Sequence, residues 1–273
     1  MRLENKIAVV TGGSGGLGAG IAISMAREGA DCLLAYNRDR AGAEKTAAAI
    51  DKMGRRAHII QGDVGHENDV EAMYRAVEKE FGQLDIIVAN AGISAAKHLL
   101  ETTADEFQQI MQTNLMGTYL TVRHGAQMMT AQKHGKIITM SSVHGLGGTH
   151  WCSLYEATKA GIINFTRGAA FDLSEYNIQV NCLAPGAVPH EKDPAPKEGG
   201  MLHEAWMQYT PLSRFGSVDD VGAAAIYLAS SDSDWVTGQV MVIDGGISAG
   251  PLIPSFKYYG DKPRMSGLNE STQ

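Results

Sequence analysis

Lys6-Ile-Ala-Val-Val-Thr-Gly-Gly-Ser-Gly-Gly-Leu-Gly18 joins an apolar, strand-like run to a glycine-rich turn, and an amphipathic stretch from Ala19 to Glu28 follows it. A strand that enters a helix through such a turn can seat a diphosphate. Gly12 makes the tight bend, Gly16 lets the backbone approach phosphate oxygens, and Gly18 lets the helix pack closely with its N-terminus facing the anion. No lysine follows the glycines, so the turn is not a P-loop. Taken alone, it also reads as a plain strand-to-helix connection.

Outward from this turn the chain alternates. Strand-like runs occupy Lys6 to Thr11, Asp31 to Tyr36, Arg56 to Gln61, Leu84 to Ala89, Lys136 to Ser141, Ile178 to Leu183 and Val240 to Ile243. Between them, Ala19 to Glu28, Arg40 to Met53, Asn68 to Phe81, Asp105 to Met129, Leu154 to Leu173 and Val218 to Ala229 space their apolar residues at the helical period. The alternation predicts an α/β fold: a doubly wound parallel sheet of Rossmann type, helices on both faces, in a single domain. Hydroxyls at Thr102 and Ser217, three residues before Asp105 and Asp220, mark helix starts.

All eight prolines lie at or after Pro185, where the chain changes character. Residues 184–216 read as a long loop beyond the sixth strand, a candidate substrate lid with a short helix over Met201 to Tyr209. The catalytic unit is expected to span 1–246. A partly ordered tail, 247–273, carries the aromatic run Pro254-Ser-Phe-Lys-Tyr-Tyr259.

The 273 residues carry a formal charge of -7 with both signs interspersed, which argues against nucleic acid and membrane as main partners. A first strand at Lys6 leaves no room for a signal peptide, and no apolar run nears the roughly 20 residues of a membrane span. A cytoplasmic protein is expected. Cys32, Cys152 and Cys182 are widely spaced and odd in number, which suggests reduced thiols. His144, His150 and His190 match no compact ligand motif, so no metal is expected.

Chemistry is concentrated in Trp151-Cys-Ser-Leu-Tyr-Glu-Ala-Thr-Lys-Ala-Gly161. Tyr155 and Lys159, four residues apart, share a helix face, where a positive charge would favour phenolate and lower the phenol pKa. Ser142 stands upstream at the end of a strand. In isolation the tyrosine and lysine could be an ordinary exposed pair; with Ser142 and the glycine turn they suit proton exchange with a carbonyl or alcohol.

The chain resembles the short-chain dehydrogenase/reductase family from end to end. The resemblance rests on Thr11 to Gly18, Asp63-Val64, Asn90-Ala91-Gly92, Ser142 with Tyr155 and Lys159, and Pro185-Gly186, in that order, with Asn114 at the family's fourth catalytic position. It implies that Asn114, Ser142, Tyr155 and Lys159 are catalytic. The dinucleotide would lie on Gly12, Ser14, Gly16, Leu17 and Gly18, its adenine beside Asp63 and Val64. The nicotinamide end would reach Asn90, Ala91, Gly92, Tyr155, Lys159, Pro185, Gly186 and Val188. Lys159 would hold the nicotinamide ribose, and Asn114 a water that relays protons.

The resemblance also marks departures. An acidic residue about 20 positions after the glycines would accept a ribose 2'-hydroxyl. Here Tyr36, Asn37 and Arg38 stand there, so NADP is favoured over NAD, with Arg38 able to pair with a 2'-phosphate. A solvated charge beside Asp39 is the other reading of Arg38. His190 replaces a threonine common in relatives, and Glu156 stands where many have a small residue.

Trp151, Cys152, Met201 and Trp206 are expected as apolar pocket walls, with His144 and His150 as polar anchors. The implied activity is hydride transfer between NADP and a ketone or secondary alcohol, in a homotetramer. A non-catalytic dinucleotide-binding sensor is the alternative, and sugar-nucleotide dehydration or epimerisation is disfavoured by the short substrate region.

Overall fold

In the computed structural model, which describes residues 1–94 and 96–250, the strands are buried along nearly their whole lengths. β1 (Ile7–Thr11), β2 (Asp31–Tyr36), β4 (Ile86–Ala89) and β5 (Gly135–Met140) expose no residue to solvent. Such runs need cover on both sides. Alternate residues divide between two cores: Ala8, Val10, Ile86 and Val88 on one face, Val9, Ile87 and Ala89 on the other.

The sheet is parallel throughout, in the order β3-β2-β1-β4-β5-β6-β7. It is completed by β3 (Ala57–Gln61), β6 (Ile178–Pro185) and β7 (Val240–Ile243). One face is covered by α1 (Gly16–Arg27), α2 (Arg40–Asp51) and α8 (Val218–Ala229), the other by α3 (Glu67–Phe81), α5 (Gly117–Gln132) and α6 (Ser153–Asp172). Strand order reverses between β1 and β4, so the switch-point crevice opens beside the glycine turn.

Three local findings correct the sequence reading. The glycine turn ends sooner than expected, since α1 starts at Gly16 rather than Ala19. The helix expected over Asp105 to Met129 is α4 (Ala104–Met111) and α5, joined through one π turn at Gln112–Met116. Its N-cap is Thr103, which closes a capping box with Glu106, while the Thr102 hydroxyl donates back to the Leu99 carbonyl. Ser217 and Asp220 form the box expected at α8.

Beyond β6 the chain runs through a small backbone bridge between His190 and Asp193 and then α7 (Met201–Tyr209), the short helix the sequence anticipates. A single turn at Ile247–Ala249 follows β7, held by Asp244 accepting from Gly246 and Ser248. The aromatic run at Pro254 to Tyr259 lies outside the described residues.

Candidate active site

The C-terminal ends of β5 and β6, the loops that follow β4 and β6, and the start of α1 at Leu17 enclose a cavity of about 520 Å³. Ser142, at the end of β5, caps the short turn Val143–Gly145 by accepting from the His144 amide at 3.2 Å, and its hydroxyl lies 3.5 Å from the Pro185 carbonyl. Tyr155 reaches the same cavity from the first turn of α6. One turn on, Lys159 is buried, 5.4 Å from the centre of the tyrosine ring.

The electrostatics differ from the sequence expectation. Lys159 directs its ammonium to the Met140 carbonyl at 2.8 Å, and burial brings its pKa down to about 8. Burial raises the Tyr155 phenol, an effect that the neighbouring Ser142 hydroxyl opposes. The phenol's own desolvation therefore outweighs the expected lowering.

Asn114 sits in the π turn, fully buried, and ties the site's floor together. Its amide donates to the Ile93 carbonyl and the Thr158 hydroxyl, and its oxygen accepts from the Ile93 amide at 2.8 Å. Gly92 passes close to both Asn114 and Lys159; a Cβ there would lie 3.2 Å from the Asn114 oxygen. The π turn is what swings Asn114 between α6 and the loop after β4, a common use of such turns near functional sites.

The glycine turn fits an anionic ligand. Gly12 and Gly16 take φ of +70° and +56°, conformations that suit glycine, and a Cβ on Gly18 would collide with the Gly12 carbonyl. α1 has no side-chain cap and no acidic residue in its first turn, which suits an anion at its N-terminus, and the His190 ring and the Lys192 side chain lie over Gly16 and Gly15 there. Asn90 braces the turn by donating to the Thr11 carbonyl at 2.9 Å, and the amides of Asn90 and Ala91 donate to the Thr11 hydroxyl.

At the β2 end, Asn37 donates to Asp63 at 3.0 Å, Asp63 also accepts from the Gly65 amide, and Val64 is buried beside Gly117. Arg38 is exposed and enters no ion pair among the described residues; Asp39 instead caps α2 and pairs with Lys192. Leu17, Pro185, Gly186 and Val188 line the cavity, and Ser14 lies under Lys192.

Several expected walls move. Cys152, His144, His190 and Trp206 do line the cavity, but Trp151 borders a separate small hollow with Lys97 and Leu154, and Met201 is 90 % exposed. His150 is exposed and outside the cavity. The inward residues of α7 are Leu202 and Trp206, with Phe215 behind. The period of α7 carried a signal for Leu202 and Trp206, four apart; Ser94 and Phe215 sit in irregular segments and carried none. Glu156 acquires a role: its carboxylate accepts from the Thr149 amide and lies 3.5 Å from the His144 ring nitrogen, fixing the loop that holds His144 edge-on to Tyr155.

A family model described as enoyl-(acyl carrier protein) reductase matches residues 12–248. Over 246 residues the chain is 34% identical to 3-oxoacyl-(acyl-carrier-protein) reductase FabG of Chlamydia muridarum, covering 90% of this chain and 98% of that protein. It is 34% identical to versicolorin reductase 1 of Dothistroma septosporum over 256 residues, 90% of this chain and 97% of the other. A short chain dehydrogenase from Burkholderia cenocepacia, solved in complex with NADP, superposes with a TM-score of 0.84 at 32% identity, covering 92% of this chain and 100% of that one. Likeness of this extent, on a parallel sheet with a glycine turn at its switch point, makes the chain a member of the short-chain dehydrogenase/reductase family, oxidoreductases that bind a nicotinamide dinucleotide.

Proposed function

We propose that the protein transfers hydride between NADP(H) and a ketone or secondary alcohol, with Tyr155 as the acid/base. The observation that carries this reading is the opening of the Ser142 and Tyr155 side chains onto one cavity at the strand ends, next to the glycine turn and above a buried lysine. When bound, the nicotinamide supplies or accepts the hydride. Ser142 and Tyr155 donate hydrogen bonds to the substrate oxygen, where negative charge gathers as a carbonyl is reduced, and so lower the barrier. Tyr155 then passes its proton to that oxygen, while Lys159 holds the nicotinamide ribose and Asn114 keeps the floor of the site in place.

Carbonyl reduction suits the cavity's lining. Cys152, Leu202, Trp206 and Phe215 offer apolar surface, and His144 a polar anchor, a combination that matches a neutral carbonyl of moderate size. For the cofactor, the β2 end lacks a carboxylate at Tyr36, Asn37 and Arg38, and the exposed Arg38 is free to meet a 2'-phosphate. The NADP complex of the Burkholderia relative supports the same choice, with NAD as the less favoured cofactor.

We infer a homotetramer in the cytoplasm; the assembly is supported by the position of β7 at the edge of the sheet and by the rings of Phe171 and Trp235, exposed among the described residues. Among the described residues no helix is long and apolar enough to cross a membrane. A panel of ketones and alcohols, assayed with NADPH, NADH and their oxidised forms at the absorbance of the reduced ring, tests the proposal. Turnover of at least one ketone with preference for NADPH is expected; dinucleotide binding without turnover across the panel would overturn it.

A further inference from the structure

The glycine turn contains no basic residue, yet a lysine sits on it. His190 and Asp193 exchange backbone hydrogen bonds of 2.9 and 3.0 Å, which makes a tight two-residue crest of Glu191 and Lys192 in the loop after β6. Each crest residue grips the opposite side of the crevice. Glu191 pairs with Lys45 of α2 at 3.0 Å, and the Lys192 ammonium lies 2.5 Å from Asp39 and 3.3 Å from the Ser14 hydroxyl. Lys192 lies close over Gly15: a Cβ there would fall 2.5 Å from the lysine Cε and 2.8 Å from its nitrogen, so a side chain at 15 would shift the lysine from this position.

We propose that Lys192, supplied by the substrate loop, is a phosphate-binding residue of the dinucleotide site; the inference rests on the NADP reading above. An ammonium between Ser14 and Asp39 stands where the glycine turn meets the end of β2, beside Asn37 and Arg38. That place needs a second cation. Asp39 follows Arg38 directly and would otherwise oppose a phosphate there, and Lys192 cancels that charge while offering its donors to the ligand. Because the same loop leads into α7, holding Lys192 on a phosphate would also seat Leu202 and Trp206 against the cavity, so dinucleotide binding would help order the substrate wall.

Calorimetric titration with NADPH, NADH, adenosine 2',5'-bisphosphate and ADP tests this without requiring turnover. Lys192→Met, at a half-exposed position, should weaken NADPH and the bisphosphate at least tenfold, and Lys192→Arg should keep most of the affinity. Loss confined to those two ligands assigns the 2'-phosphate; equal loss for NADH and ADP assigns the diphosphate, and both support the proposal. The double variant Asp39→Asn, Lys192→Met separates contact from mere neutralisation, since asparagine still caps α2. Persistent loss is expected there, and parental affinity would overturn the proposal. Lys192→Met binding all four ligands within twofold of the parent would overturn it alone, whereas a parent that binds no dinucleotide would overturn the underlying cofactor reading as well.

Discussion

At the scale of single residues, Lys159 decides how the site responds to pH. Its folded pKa of about 8 lies below the usual lysine value of 10.5, so between those values the unfolded chain binds the proton that the folded chain has released. Stability from this group therefore rises with pH across that window and is lost as pH falls through 8. Between pH 8 and 9.5 the parent should gain about 1–2 kcal/mol relative to Lys159→Met. Cys32 and Cys182, both raised by burial, act in the opposite sense above pH 9. Cys32 does so in both proteins and cancels, whereas Cys182 is coupled to Lys159, so the difference reports the lysine together with its interaction with that thiol. Denaturant titrations at several pH values measure it, and a parent-to-variant difference that stays flat would show that Lys159 is not held as described. The residue pattern Tyr155 and Lys159 was legible from spacing alone, but the depth of the lysine was not, because burial depends on Met140 of β5 and Gly92 of the loop after β4.

Secondary elements were legible wherever one period ran unbroken. β2, β7, α7 and α8 have the bounds the sequence indicated, from apolar spacing throughout and, at α8, from its cap as well. The π turn at Gln112–Met116 was not legible, because one extra residue per turn leaves the apolar pattern on either side intact while rotating Asn114 inward. Capping boxes supply the clearest test at this scale. Ser217 accepts from the Asp220 amide, and Asp220 is held well below the usual carboxylate range by Arg214 and Ser217. Ser217→Ala should cost about 1 kcal/mol, seen as a lower denaturation midpoint with an unchanged slope. An unchanged midpoint would mean that α8 does not depend on its cap.

Over the whole molecule, the parallel sheet and its switch point follow from seven strand-like runs separated by amphipathic helices, and the family motifs fall in the crevice that this order creates. What stayed hidden was every contact made across the long loop. Trp151 turns away from the cavity, and Lys192 meets Ser14 across 178 positions of chain, because irregular segments have no period from which a facing direction can be read. The architecture also separates two tasks. On the proposed function, the turn between β1 and α1 serves the dinucleotide while β5 and α6 bring the hydroxyls to the substrate, so binding and turnover should fail independently. Tyr155→Phe, assayed against the parent for NADPH affinity and for turnover of an accepted ketone, tests this most directly. Affinity within about twofold of the parent and turnover lowered by at least 10²-fold are predicted; near-parental turnover by the phenylalanine variant would contradict the account.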